Sequence, residues 1–176
     1  NTMRDAMIAG TTLNIFNKHS DRVRMANIAQ MVNVLQAVIL TEGSKMLLTP
    51  TYHVFDLYKE HQGATLIDSF IESTQIGEDC YAVQNLQEST SMDDDGNINS
   101  TLCNISATDS YDVELTVFDE DIKSVKARIL TNRINAFNTF ENPTEVKVKE
   151  FTDFTIKNNK LQFKIPACSV LAIQLA

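Results

Sequence analysis

The hydrophobic period of this chain changes once, near Ala64, and that change limits its possible folds more than any other feature. Before Ala64, apolar residues recur mostly every three or four positions, the spacing that lines one face of a helix. After it they fall into short alternating runs separated by turn residues, the pattern of half-buried strands. Charge divides at the same place. Six basic and five acidic side chains precede residue 65, against nine and eighteen after it. The pattern predicts two parts, residues 1–64 and residues 65–176. The total of 176 residues accommodates one large domain, or one small domain plus a piece of another.

Composition narrows the class. An apolar fraction of 43% with 22% charged residues suits a chain that buries a core, which removes disordered and low-complexity classes. The net charge of −8 disfavours general nucleic-acid binding, which needs a basic surface. Cys80, Cys103 and Cys168 give neither a disulfide framework nor zinc spacing. The longest apolar stretch, Met25 to Leu40, is interrupted by Asn27, Gln30, Asn33 and Gln36 and falls short of a membrane helix. No signal peptide is evident, and the chain enters an amphipathic pattern directly from Asn1. The expectation is a chain whose beginning lies elsewhere, in a cytoplasmic or periplasmic bacterial protein.

The first part begins with a helix from Thr2 to about His19. Met3, Ala6, Met7, Gly10 and Leu13 form its apolar stripe, and Gly10 in mid-helix points to close packing. A second helix spans 50–62, with Thr49 as N-cap, Pro50 at the first helical position and Gly63 just beyond the end. Between them, residues 22–27 alternate like a strand. Asn27, Gln30, Asn33 and Gln36 recur every third residue, and the pattern alone leans to helix. Beyond Ala64 the alternation predicts strands at 66–72, 79–87, 97–105, 111–119, 123–130, 145–150, 153–157, 160–165 and 169–175. Asp95-Gly96 and Asn158-Asn159 mark hairpin turns. The sum is an antiparallel β-sandwich.

Chemical motifs are sparse. Asp93 to Asn99 resembles a calcium loop but lacks glycine at the sixth position and glutamate at the twelfth, so a hairpin turn is the better reading. His19, His53 and His61 have no metal-ligand spacing and read as surface or capping residues. No resident metal or cofactor is implied. Asp119 to Asp121 reads as a solvated loop, and Asn99 and Asn104 head glycosylation acceptor patterns. The acidic residues show no convergent carboxylate pair of the kind glycoside hydrolysis needs. Taken alone, these spacings yield no active site.

Longer segments carry more. Asn1-Thr-Met-Arg-Asp-Ala-Met-Ile-Ala-Gly10, Asn14-Ile-Phe-Asn-Lys-His19, Asp21-Arg-Val-Arg-Met-Ala-Asn-Ile-Ala-Gln30-Met-Val-Asn33 and Leu48-Thr-Pro-Thr-Tyr-His-Val-Phe55 resemble the α-L-arabinofuranosidases of glycoside hydrolase family 51. So do Asn138-Thr-Phe-Glu-Asn-Pro143, and Leu161-Gln-Phe-Lys-Ile-Pro166 followed by Ser169-Val-Leu. The resemblance implies a mixed fold, in which residues 1–64 are the end of a (β/α)8 TIM barrel and 65–176 a C-terminal, jelly-roll-like β-sandwich. Residues 2–19 would be the seventh barrel helix, 22–30 the eighth barrel strand, 31–48 the loop after it, and 50–62 the last helix. This replaces the helical reading of 22–30 and accounts for its alternation.

The resemblance also implies a function. Family members remove terminal α-L-arabinofuranosyl groups from arabinan- and arabinoxylan-type oligosaccharides and polysaccharides with retention, using two glutamates on earlier barrel strands. Neither has a counterpart here, and Glu42 and Glu60 are not given those roles. No catalytic residue is therefore assigned, and the isolated chain is expected to be inactive. One substrate-binding residue carries over: Gln30, in the family's A-Q-x-V-N pattern, would hydrogen-bond arabinose at the C-terminal end of the eighth strand. Asn27 and Asn33 read as structural neighbours. The intact enzyme is expected to form a homo-oligomer, without nucleic-acid or membrane partners. The alternative is a non-catalytic carbohydrate-binding module, which the absence of tryptophan disfavours.

Overall fold

The computed structural model describes residues 1–118 and 121–176. Helix α1 runs Met3–Lys18 and buries Met3, Ala6, Met7, Gly10 and Asn14. The Asp5 carboxylate reaches back to accept the Thr2 N–H at 2.6 Å, satisfying one donor at the helix start. Helix α2 runs Pro50–Tyr58 and continues as a single 3₁₀ turn over Lys59–His61. Pro50 opens it as expected, and Gly63 takes a φ of +77° just beyond. The helices pack together at Gly10. A Cβ there would lie 3.3 Å from both the Tyr58 hydroxyl and Val170, and that hydroxyl donates to the Gly10 carbonyl at 2.9 Å.

Between the helices lies the hairpin β1 (Ile39–Glu42) and β2 (Lys45–Leu48), turning at Gly43 with φ +59°. The remaining strands are β3 (Thr65–Ile67), β4 (Gln75–Ile76), β5 (Val83–Gln84), β6 (Leu86–Met92), β7 (Ile98–Asn104), β8 (Tyr111–Thr116), β9 (Val125–Thr131), β10 (Lys149–Glu150), β11 (Phe154–Lys157), β12 (Lys160–Ile165) and β13 (Ser169–Leu175). Six form one sheet in the order β10-β9-β13-β7-β6-β3, and three form another in the order β11-β12-β8. Every ladder between these strands is antiparallel. β13 lies at the sheet's middle, with Leu171 opposite Leu102 on one side and Ile129 on the other.

Alternation along the strands creates two cores. Leu102, Ile129, Phe163, Ile165, Leu171 and Ile173 fill the space between the sheets. Met3, Met7, Val54, Leu57, Cys103, Leu130 and Val170 fill a second space, between the helices and the outer face of the six-stranded sheet. That sheet is therefore covered on both faces, which explains why β7 is buried along almost its whole length. The second core draws on residues from both sides of Ala64.

Several elements differ from the sequence-based expectation. Residues 22–30, expected as a barrel strand, are largely exposed and form no ladder, with a turn at Arg22 and a bend at Ala29. A parallel strand exists only through its neighbours, and the described residues supply none. Residues 31–48, expected as a loop, contain the β1–β2 hairpin. The expected strand 79–87 is a 3₁₀ turn at Asp79–Tyr81 followed by β5, while the full-length strand β6 begins only at Leu86. Strand 145–150 shrinks to β10. The Asp93 to Asn97 hairpin turn is present: Asp93 Oδ1 accepts from the Asp95 and Asn97 N–H groups, and Gly96 takes φ +82°. Asn158 and Asn159 make the β11–β12 turn with φ of 52° and 59°. The loop reading of Asp119 to Asp121 falls partly outside the described residues, which omit Asp119 and Glu120.

Candidate functional site

Gln30 is exposed, at the end of the unpaired segment that follows α1. What fixes it comes after it in sequence. The Met31 carbonyl accepts from the N–H groups of both Val38 and Ile39, at 3.2 and 3.1 Å, and Asn33 N–H donates to the Ile39 carbonyl at 3.2 Å. Val32 and Ile39 form a parallel bridge. The chain from Met31 to Ile39 is thus a closed loop, with Asn33 and Gln36 at positive φ of 55° and 62°. Its root is tied to α2. The buried Thr49 hydroxyl turns from the helix start towards the carbonyls of Ala37 and Val38, at 3.1 and 3.2 Å, and Asn1 Nδ2 also donates to Ala37 at 2.7 Å. The expected N-cap therefore serves the loop instead of its own helix.

Around this loop several large apolar side chains are exposed among polar ones. Met25 is 78% and Leu35 87% exposed, and Met31, Val32 and Met46 are also open. Asn27 is exposed on the unpaired run. Asn33 Nδ2 donates to the Thr41 hydroxyl at 2.8 Å and its Oδ1 accepts the Thr41 N–H at 2.7 Å.

Behind α1 lies a polar cluster that the sequence did not reveal. Asn14, fully buried, accepts from the Ser89 and Thr101 hydroxyls at 2.9 and 2.8 Å and donates to the Gln87 carbonyl at 3.2 Å. Lys18 pairs with the buried Glu88, which also accepts from Ser69 at 2.8 Å. His61 is not a surface or capping residue. Its Nδ1 lies 2.7 Å from Ser91 Oγ and its Nε2 2.9 Å from Thr101 Oγ1, and burial lowers its pKa to about 4. Thr101 gives its proton to Asn14, so a neutral His61 donating from Nε2 and accepting at Nδ1 satisfies both hydroxyls. These groups are paired with one another and hold α1 on the sheet.

Other candidates are structural. Burial opposes ionisation of Asp56, yet hydrogen bonds from Lys59 and Arg128 prevail and hold its carboxyl below the usual range, locking α2 to β9. Burial raises the Cys103 thiol to about 12, which leaves it inert. Asn99 and Asn104 are buried and so closed to glycosylation in the folded chain. A groove of about 480 Å³ borders Asn99, Lys126, Arg128, Phe151 and Gln174. Its amides pair with each other, Gln174 Nε2 to Asn99 Oδ1 at 3.1 Å. Phe151 and Phe154, which also line the groove, are partly buried against the inter-sheet core.

Comparison with known proteins places this arrangement. Residues 1–169 match the family model described as the α-L-arabinofuranosidase C-terminal domain. An intracellular exo-α-L-arabinofuranosidase of Bacteroides ovatus is 39% identical over 99% of this chain, which covers 34% of that relative. The GH51 arabinofuranosidase of Xanthomonas axonopodis pv. citri superposes over the whole chain with a TM-score of 0.94 and 39% identity, matching 36% of its length. The α-L-arabinofuranosidase of Thermotoga maritima, solved as an arabinose complex, gives 0.85 at 26% identity over 99% of this chain and 38% of its own. The chain spans about a third of the length of these relatives.

Proposed function

Because the chain belongs to the α-L-arabinofuranosidase C-terminal domain family, we propose that it is the C-terminal part of a retaining family 51 glycoside hydrolase. The whole protein removes terminal α-L-arabinofuranosyl groups from arabinan- or arabinoxylan-type chains. The observation that carries this reading is the ordered match over residues 1–169, against relatives about three times as long. In this reading residues 1–64 complete the catalytic barrel and 65–176 form the sandwich that buttresses it. The exposed apolar segment around Met25 and Leu35 is where the rest of the barrel packs. The whole enzyme acts as a homo-oligomer.

Retaining hydrolysis needs a nucleophilic carboxylate and an acid/base carboxyl about 5 Å apart. Both glutamates lie in the upstream barrel, so this chain supplies binding and support. Gln30 contributes the sugar contact: its amide donates from nitrogen and accepts at oxygen, matching a sugar hydroxyl that does both. Its exposure beside those apolar side chains suits a group that enters a subsite once the barrel is complete.

An aryl α-L-arabinofuranoside tests the reading. Hydrolysis by the full-length protein and none by the isolated chain is expected; turnover by the isolated chain overturns it. In the full-length protein Gln30→Ala should lower kcat/KM by about 10- to 100-fold, the loss of one transition-state hydrogen bond, with an unchanged melting temperature. Parental kinetics in that variant would remove Gln30 from the site.

A further inference from the structure

We propose that Asn33 is a positioning residue for Gln30, fixing the direction of the Gln30 backbone through a two-point amide grip on Thr41; this rests on the reading of Gln30 as a sugar-binding amide. Asn33 Nδ2 donates to Thr41 Oγ1 at 2.8 Å, and the Thr41 backbone N–H donates to Asn33 Oδ1 at 2.7 Å. Both functional groups of the side chain are used on one residue of β1. The backbone of Asn33 is at φ +55°, a region that asparagine tolerates better than other side-chain-bearing residues. The position thus selects asparagine twice, once for its conformation and once for its paired donor and acceptor.

The path from this grip to Gln30 is short. Upstream of Gln30, residues 22–30 form, in this reading, the strand that the rest of the barrel pairs with; the ties within this chain act on the downstream side. Downstream, Met31 is held through its carbonyl by Val38 and Ile39, and the loop root is held by Thr49 at the start of α2. Those ties secure one side of the loop. The other side, at Asn33, is joined to Ile39 by one main-chain hydrogen bond and to Thr41 by the amide grip. Without the grip, the Asn33 side of the loop keeps one main-chain bond, and the play this allows reaches Gln30 only through Val32 and the bonds at Met31. A sugar hydrogen bond tolerates a displacement of only about 0.5 Å before it weakens.

The test uses the full-length protein and an aryl α-L-arabinofuranoside. Asn33→Gly keeps the positive φ and removes the grip, so backbone strain is not the cause of any loss. It should lower kcat/KM by about tenfold, on the same kinetic constant that Gln30→Ala affects. Asn33→Asp keeps the acceptor for the Thr41 N–H and can take the Thr41 hydroxyl proton, so it should restore most of the activity. Added to Gln30→Ala, Asn33→Gly should change nothing further, because it acts through a side chain already removed. Thr41→Ala, which removes only the hydroxyl, reports on the grip if Asn33→Gly fails to fold. Parental kinetics in Asn33→Gly or, where it does not fold, in Thr41→Ala overturns the proposal. So does an equal fractional loss with and without Gln30, which marks a merely structural residue. Parental kinetics in Gln30→Ala alone instead defeats the reading of Gln30, and the proposal falls with it.

Discussion

His61 shows what one side chain owes to its place in the fold. Its pKa of about 4 lies below the ordinary value of 6.5 because burial penalises the charged ring. Between those values the unfolded chain binds more protons than the folded one. Its contribution to stability is therefore complete above pH 6.5 and is lost as the pH falls towards 4. Denaturation midpoints in urea should decline over that window, and His61→Gln should flatten the decline; identical curves would assign it to other groups. None of this was legible in the sequence, where His61 is one isolated histidine in the last turn of an expected helix. Its partners, Ser91 and Thr101, lie 30 and 40 residues away on two strands. Gly10 was legible, since a glycine within a helical stripe already implies a close neighbour. That the neighbours are Tyr58 and Val170 was not. Gln30 became visible only through resemblance, because a lone exposed amide carries no periodic or spacing signal.

At the scale of elements, the turns were the easiest to read. Asn158 and Asn159 both sit in the left-handed region that closes a two-residue hairpin. Asn158→Ala should destabilise the protein by about 1 kcal/mol and Asn158→Gly hardly at all, measured by chemical denaturation; equal costs would mean that backbone conformation is not the cause. Strand β6 was the hardest. Its sequence Leu86-Gln-Glu-Ser-Thr-Ser-Met92 looks like a surface run, yet Glu88, Ser89 and Ser91 are buried. Polar residues can be buried there because α1 and the 3₁₀ turn bring Asn14, Lys18 and His61 to meet them. Alternation of apolar residues reports a strand facing an apolar layer and misses one facing a polar layer. Residues 22–30 differ for the opposite reason: their alternation is real, but the described residues offer them no partner strand.

For the whole molecule, the sandwich followed from the many short alternating runs, while its three-layer build did not. The helices cover the outer face of the six-stranded sheet, and that contact is encoded half in apolar stripes and half in scattered polar residues. The surface left open around Met25, Leu35 and Met46 has a measurable consequence. The isolated chain should self-associate, its sedimentation coefficient rising with concentration, and Met25→Glu combined with Leu35→Glu should suppress the rise. A chain that stays monomeric at every concentration would show that this face is harmless. The central place of β13 has a further effect during synthesis. A ribosome makes β7 and β9 well before it makes the strand that joins them. In that interval each exposes an unpaired edge with hydrophobic neighbours, open to any extended segment nearby. The two helices, made before the sheet, have only an incomplete sheet to cover until then. Closure of the fold is therefore late and nearly all at once, and the nascent chain depends on whatever keeps those two edges apart from other chains.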